Sequence, residues 1–477
     1  MSNTFLKNNK MIMTKTDTTI RQNPRGWVWT RLGEVLSFIK GKKPRDLGAK
    51  TEYRNIPYIN IEAFDKRVID QFTNNDDYPI CKPDDILIVW DGARCGLVGR
   101  GVSGVIGSTL AKLVFSEINS SYLFYFLQSK YEYINKRPRG VGIPHVDPNL
   151  FWNIPIPLPP LNEQKRIVGK IEELFIRLEA GVEALKKVKA QIRRYRQAVL
   201  KYAFEGKLTN SSSCHSEPQS CEGISDIAKQ PSVAPNDLPE LPEGWRWVKL
   251  GEVVNDIEKV NPKKNPDQEF IYIDIASIDN KQQRIANPKK YLGKNAPSRA
   301  RQLVKYGDIL FSTVRTYLKN IAIVNESYDG QIASTGFCVI RPQTNINNKF
   351  IFWYIQTDDF LNPLNQLQRG TNYPAVRDSD VLSQYIPLPP LPEQEQIVSE
   401  IERRFSVVEQ IERIVDQSLK QAERLRQSIL KKAFEGKLVP QDPNDEPAEK
   451  LLERIKIDKA KQTNKNKIKS VRIGMYE

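Results

Sequence analysis

The sequence predicts an α+β chain: two similar mixed α/β globular domains separated by two long helices packed as an antiparallel coiled coil, with a pseudo-twofold internal repeat. Three observations predict it. Pro157-Leu158-Pro159-Pro160-Leu161 returns as Pro387-Leu388-Pro389-Pro390-Leu391, an offset of 230, and each copy runs through Glu-Gln into a long helical pattern. Both patterns close on one hexapeptide, Ala203-Phe204-Glu205-Gly206-Lys207-Leu208 and Ala433-Phe434-Glu435-Gly436-Lys437-Leu438, still at offset 230. Gly26-Trp27-Val28-Trp29-Thr30-Arg31-Leu32-Gly33-Glu34-Val35 returns as Gly244-Trp245-Arg246-Trp247-Val248-Lys249-Leu250-Gly251-Glu252-Val253, at offset 218. One unit has therefore been used twice. The helical blocks have changed residues without changing length, as a part used as a ruler would.

The totals bound the rest. At 477 residues there is room for roughly three domains. Hydrophobic content of 39% supports packed cores. The formal charge of +15 favours a polyanionic partner, nucleic acid first and an acidic membrane surface second, with plain solubility as the bland alternative. Five cysteines at irregular spacing include no Cys-x-x-Cys, and Cys214, His215 and Cys221 in a polar stretch fall short of a metal site. A reduced, cytoplasmic protein fits best. No apolar run is long enough to span a membrane, and no signal-peptide core is present.

In chain order, residues 1–22 are polar and expected to be disordered. Residues 23–153 form the first globular domain and 241–384 the second. Their interiors echo each other: Asn55-Ile56-Pro57-Tyr58-Ile59-Asn60-Ile61 and Phe270-Ile271-Tyr272-Ile273-Asp274-Ile275 read as buried strands, as do Ile86-Leu87-Ile88 and Ile309-Leu310-Phe311, each after an Asp turn. Tyr122 to Gln128 and Phe350 to Gln356 read as a core helix, and Gly140–Pro144 aligns with Gly370–Pro374. Residues 154–208 and 385–438 are the helical blocks. Each proline run is a stiff extended exit from its domain. Asn162 suits a cap, Pro392 a first turn, and Glu163 and Glu393 the positive helix start. The first seam reads Ile171, Leu174, Leu178, Gly181, Leu185, Val188, Ile192, Tyr195, Val199, Tyr202. The second, patchier, reads Ile401, Arg404, Val408, Ile411, Val415, Ser418, Ala422, Leu425, Ile429, Lys432, with Phe405 and Leu419 joining from neighbouring positions. Gly206 and Gly436 are left-handed stops. A helix of about 42 residues is roughly 63 Å long and needs a partner. The other helix of equal length is the expected one, a second copy of the chain the rival. Residues 209–240 are Ser-, Pro- and Gln-rich, a flexible linker. Residues 439–477 form a charged tail, solvated by default, with a short helix and a Lys-rich end from Lys456 to Lys469.

No phosphate loop or methyltransferase motif occurs, and His145 and His215 are the only histidines. His145 reads as structural or as a DNA contact. Asp84, Asp85 and Asp308 read as turn residues before strands rather than nuclease metal ligands. Basic loops carry more information. The first domain offers Lys40, Lys42, Lys43 and Arg45, then Arg94, then Lys136, Arg137 and Arg139 beside Gly140. The second offers Lys263 and Lys264, Arg315 and Lys319, then Arg369-Gly370-Thr371-Asn372-Tyr373. Arg reads guanine, Asn reads adenine, and Ser or Thr serves phosphates, which adds Ser108, Thr109, Ser334 and Thr335. Each residue alone is as well explained by a solvated surface. The clusters matter because they fall at equivalent places in both halves.

The paired Gly-Trp-x-Trp-x-x-Leu-Gly-Glu-Val entries, with Pro-Leu-Pro-Pro-Leu-x-Glu-Gln and Ala-Phe-Glu-Gly-Lys-Leu around each helix, resemble the specificity subunit of Type I restriction–modification systems over residues 23–438. The resemblance implies two target recognition domains, each reading one half of a split double-stranded DNA sequence. It implies spacer helices that set the distance between halves and help dock two modification (methyltransferase) subunits, which restriction subunits can join. It implies a non-catalytic chain that binds no cofactor itself. S-adenosylmethionine, ATP and Mg are expected on the partner subunits. The competing class is a basic coiled-coil scaffold that bridges DNA or partners without sequence preference.

Overall fold

The computed structural model describes residues 24–75, 77–140, 142–208, 238–370 and 372–473, with the backbone alone from 462 on. The expected disordered N-terminus, nearly all of the expected linker, and Thr371 lie outside the described residues. The chain divides into two compact units. One combines residues up to 184 with those from 418 on; the other is the continuous stretch 185–417.

The first head, in the first unit, holds two four-stranded sheets. One orders its strands Ser37–Lys40, Leu110–Val114, Ile86–Val89, Val98–Arg100, all antiparallel. The other orders Phe72–Thr73, Ile56–Ile59, Gly104–Ile106, Ile80–Cys81, with Ile56–Ile59 parallel to Gly104–Ile106. The second head repeats this plan with Val254–Asn255, Phe337–Pro342, Ile309–Ser312, Ile321–Ile323, and then Lys289–Leu292, Glu269–Ile273, Ile332–Ser334, Ala300–Leu303. Its parallel pair is again the equivalent one, Glu269–Ile273 with Ile332–Ser334. The expected turn role of the aspartates is met in both heads. Asp85 accepts from the Lys82 N–H and Asp308 from the Lys305 N–H, each at 2.7 Å. Asp308 also holds Arg341 through two bonds of 2.8 and 2.7 Å.

The proline runs are tied down as well as stiff. Pro155–Leu158 pairs antiparallel with Val28–Arg31, and Tyr385–Leu388 with Arg246–Lys249. Proline can enter such two-stranded ribbons because each strand has a free edge. The following Glu-Gln completes the joint. Gln164 accepts from the Asn119 N–H (2.9 Å) and donates to the Pro159 carbonyl (3.0 Å). Gln394 does the same with Asn347 (2.9 Å) and Pro389 (2.9 Å). Asn119 and Asn347 cap the core helices Ser120–Ser129 and Asn348–Tyr354. Each buried glutamine therefore bolts the start of a long helix to the start of a core helix.

The long helices are Leu161–Phe204 and Leu391–Phe434, 44 residues each, or about 66 Å. They run antiparallel wherever they meet. In the first unit Glu179 pairs with Arg426 (3.2 Å), and Arg426 lies over the Phe175 ring (4.0 Å). In the second, Lys189 pairs with Asp416 (2.6 Å) and Arg196 with Glu412 (3.1 Å), and Arg196 lies over Phe405 (5.0 Å). Phe175 and Phe405, and likewise Arg196 and Arg426, are related by the same offset of 230, so one arginine–aromatic contact is built twice with the helices exchanged. Four apolar or aromatic seam assignments fail, Ile411 and Leu425 of the second helix among them. Tyr195 and Tyr202 are exposed, while Phe175, Leu200 and Phe204 are buried. The last turns of the first helix leave their partner and enter the core of the second head.

That entry explains the shared hexapeptide. Phe204 meets Phe350 and Tyr354 edge-on, with centroids at 5.2 and 5.0 Å. Phe434 meets Tyr122 and Phe126 at 5.4 and 5.3 Å. Gly206 and Gly436 then adopt φ of 70° and 69°. A β-carbon there would fall 2.2 Å from Pro242 or 2.4 Å from Pro24, so glycine is required twice over. Each head is thus held at its proline joint by one helix and closed by the end of the other.

The tail departs from the solvated expectation. The helix Ala448–Ile473 buries Ala448, Leu451 and Ile455 against the first head. Lys459 donates to the carbonyls of Gly33 and Leu36, the latter at 2.8 Å, and Lys456 pairs with Glu34 (2.7 Å). Its apolar residues recur at helical spacing, which makes burial of one face pay despite the surrounding charge.

Candidate nucleic-acid interface

In each head one glycine loop rises beside the end of a central strand. In the first, Arg139 and His145 exchange backbone hydrogen bonds of 2.9 Å, closing a loop through Gly140 at φ 95°. In the second, Arg369 and Ala375 exchange bonds of 2.9 and 3.0 Å, closing a loop through Gly370 at φ 96°. A short segment after the central strand docks on each. The Gly92 N–H reaches the Pro144 carbonyl (2.7 Å), and the Arg315 N–H reaches the Pro374 carbonyl (2.8 Å). The backbones are equivalent while the side chains differ, as reading two unlike ligands on one scaffold requires.

In the second head, Arg369, Asn372 and Tyr373 are exposed, Tyr373 at 70%. Arg315 lies under them: its guanidinium faces the Tyr373 ring (4.9 Å) and donates to the Asn372 carbonyl (3.0 Å). Arg315 and Lys319 both have positive φ, 51° each, a conformation that side chains rarely adopt and that here aims both residues. Lys319 turns inward, donating to the Gln356 carbonyl (2.9 Å) and meeting Asp358 at 3.4 Å. The neighbouring Tyr317 and Leu318 are exposed beside it. Lys263 and Lys264 are exposed on a separate turn packed against Gly293–Asn295.

In the first head, Arg137 and Arg139 are exposed, Arg137 stacking on Tyr133 (4.4 Å). Lys42, Lys43 and Arg45 are exposed after the strand Ser37–Lys40. Lys42 borders an open cavity of about 520 Å³ shared with Ile39, Asn75, Asp77, Tyr78, Pro79 and Ile80. Arg94 is paired with Asp65, so its charge is already matched. Between the loops stands a chain the sequence did not flag as a unit. Lys40 bonds one oxygen of Asp91, and the other oxygen meets His145 Nδ1 at 2.7 Å.

The serine–threonine pairs divide. Ser108 and Thr335 are exposed and Thr109 is half-buried. Ser334 is a correction: it is 3% exposed and its hydroxyl accepts from the Gly336 N–H (3.1 Å), so it is part of the fold and not a phosphate contact. Chemically, the loops offer guanidinium and amide groups suited to base edges and phosphates, with aromatic faces beside them. Among the described residues no helix is long and apolar enough to cross a membrane.

The family model described as "Type I restriction modification DNA specificity domain" matches residues 24–189 and 242–420. The chain is 28% identical to the Type I restriction enzyme MjaVIII specificity subunit of Methanocaldococcus jannaschii, over 87% of this chain and 93% of that one. It is also 28% identical to the EcoDI specificity subunit of Escherichia coli, over 72% and 77%. A solved structure, "Structural basis underlying complex assembly and conformational transition of the type I R-M system", matches with a TM-score of 0.64 and 23% identity, over 87% of this chain and 99% of that one. It supports the fold.

Proposed function

This chain belongs to the Type I restriction–modification DNA specificity family, and from that premise we propose that each head reads one half of a bipartite double-stranded DNA target through its glycine loop. The observation that carries the reading is the loop itself, built twice on one backbone plan with unlike side chains at its tip. Arg369, Asn372 and Tyr373 contact the half-site of the second head, and Arg137 and Arg139 that of the first. Lys42, Lys43, Arg45, Lys263 and Lys264 supply phosphate contacts in keeping with the charge of +15.

The long helices set the spacing and dock two modification subunits, which restriction subunits can join. Exposed apolar side chains support the docking role: Ile176 and Leu425 in the first unit, and Val407, Ile411 and Ile414 in the second. Contiguous exposed apolar surface on a helix calls for a partner. The chain contributes recognition and assembly rather than catalysis. S-adenosylmethionine, ATP and Mg are held by the partner subunits, and the complex works in the cytoplasm.

The test is methylome sequencing of cells whose complex carries Arg369→Ala with Asn372→Ala. One half of the methylated motif should become degenerate, with discrimination there falling about ten- to a hundred-fold, while the other half is unchanged. Degeneracy in both halves would contradict independent readers.

A further inference from the structure

We infer that Asp91, with Lys40 and His145, is a positioning group for the recognition loop of the first head, and that Arg315, one residue further along the equivalent segment, does the same work in the second. The inference rests on the reading of the glycine loops as DNA readers and adds what aims them.

The glycine loop of the first head is anchored by backbone at its two ends, through the Arg139–His145 pair and the bond from the Gly92 N–H to the Pro144 carbonyl. Within the loop Ile143 stands out in solvent. A loop of this kind samples many conformations unless a side chain holds it. Asp91 stands on the facing segment and makes the hold. One oxygen receives Lys40 from the end of the strand Ser37–Lys40, two places across the sheet; the other meets the His145 ring at 2.7 Å. Lys40 also lies over the Trp90 ring (6.0 Å), which Phe38 stacks upon at 4.7 Å. The chain therefore runs from a packed aromatic platform, through a fixed lysine and a carboxylate, to the loop.

In the second head the facing segment supplies Arg315 instead. Gly92 and Arg315 occupy the same backbone position, each donating its N–H to the proline that ends the loop. Arg315 then grips the loop by the Asn372 carbonyl and the Tyr373 ring. The two heads thus meet one mechanical need with different chemistry. A carboxylate from below suits a loop ending in histidine. A guanidinium suits a loop that offers a carbonyl and an aromatic face. The brace and the tip are matched sets.

The experiment uses the complete methyltransferase complex in cells, with the methylated motif as readout. Asp91→Asn and His145→Ala should each blur the half-site of the first head, cutting methylation at correct sites relative to single mismatches roughly ten-fold. The second half-site should stay sharp. His145→Asn, whose amide N–H can stand in for Nδ1, should restore the motif. A merely structural role would erode both half-sites or abolish methylation, and a side chain that itself reads DNA would not be rescued. An unchanged motif in Asp91→Asn and His145→Ala overturns the brace, as does equal loss in both halves. Arg139→Ala is run alongside. If it alters the first half-site while the brace variants do not, the brace fails and the loop reading stands. If it also leaves the motif unchanged, the loop reading has failed.

Discussion

Glu163 shows how much a single position can carry. A carboxylate in a first helical turn is ordinarily favoured by the helix dipole. Here the side chain is 1% exposed, beside the Trp27 indole and Gln441, and burial raises its pKa above the usual carboxylate range, with Arg166 only partly opposing. Because the folded pKa is raised, the stability this group contributes is complete below its unfolded pKa, and is lost as pH rises through the folded one. The first unit should therefore weaken with rising pH across the mildly acidic range, and Glu163→Gln should flatten that slope. Urea unfolding at stepped pH checks it; an unaltered slope in the variant would remove Glu163 as the source. The sequence showed Glu163-Gln164 as a helix start, which it is. It did not show that Gln164 bolts two helices together, because its partner Asn119 is distant in sequence and the contact exists only after folding. Ser108 and Ser334 teach the same point. They align in the sequence, yet one is exposed and the other buried, since the loops around them differ.

For the elements, periodicity and punctuation were enough to find both long helices, their joints and their stops. The strands were legible where β-branched runs are fully buried, as in Ile86–Val89 and Ile309–Ser312. The seam was legible only while its partner stayed the same. Extending one register carried Tyr202 inward, whereas the real helix turns Val199, Leu200, Ala203 and Phe204 into a head. A heptad pattern describes a helix against a helix and has no means of announcing a change of partner. The matched lengths make a prediction. Inserting one heptad in each helix adds about 10 Å of rise, or about three base pairs of DNA at ~3.4 Å each. The spacer in the methylated motif should lengthen accordingly with both half-sites intact. An unaltered spacer would mean the helices are not the ruler.

For the whole molecule, the division into units does not follow the division into repeats. The first unit draws on both ends of the described chain, with Phe434 and Leu451 in the same core as Tyr122 and Ile171. The second is closed by Phe204 and is continuous in sequence. Removing residues 440–477 takes Leu451 and Ile455 out of the first core. It should cost that unit about 3–5 kcal/mol on the scale of large-to-small core substitutions, and leave the second unit as stable as before. Hydrogen exchange followed region by region would show protection falling in one unit only; an equal fall in both would tie the tail to the whole chain.

The same split gives the protein a history at the ribosome. The second unit has all its parts once residue 417 has emerged. The first head, made earlier, must wait with Tyr122 and Phe126 uncovered until Phe434 and Leu451 arrive. The half of the protein that is translated first is therefore the last to be finished, and a prematurely terminated chain leaves that half open to chaperones and proteases.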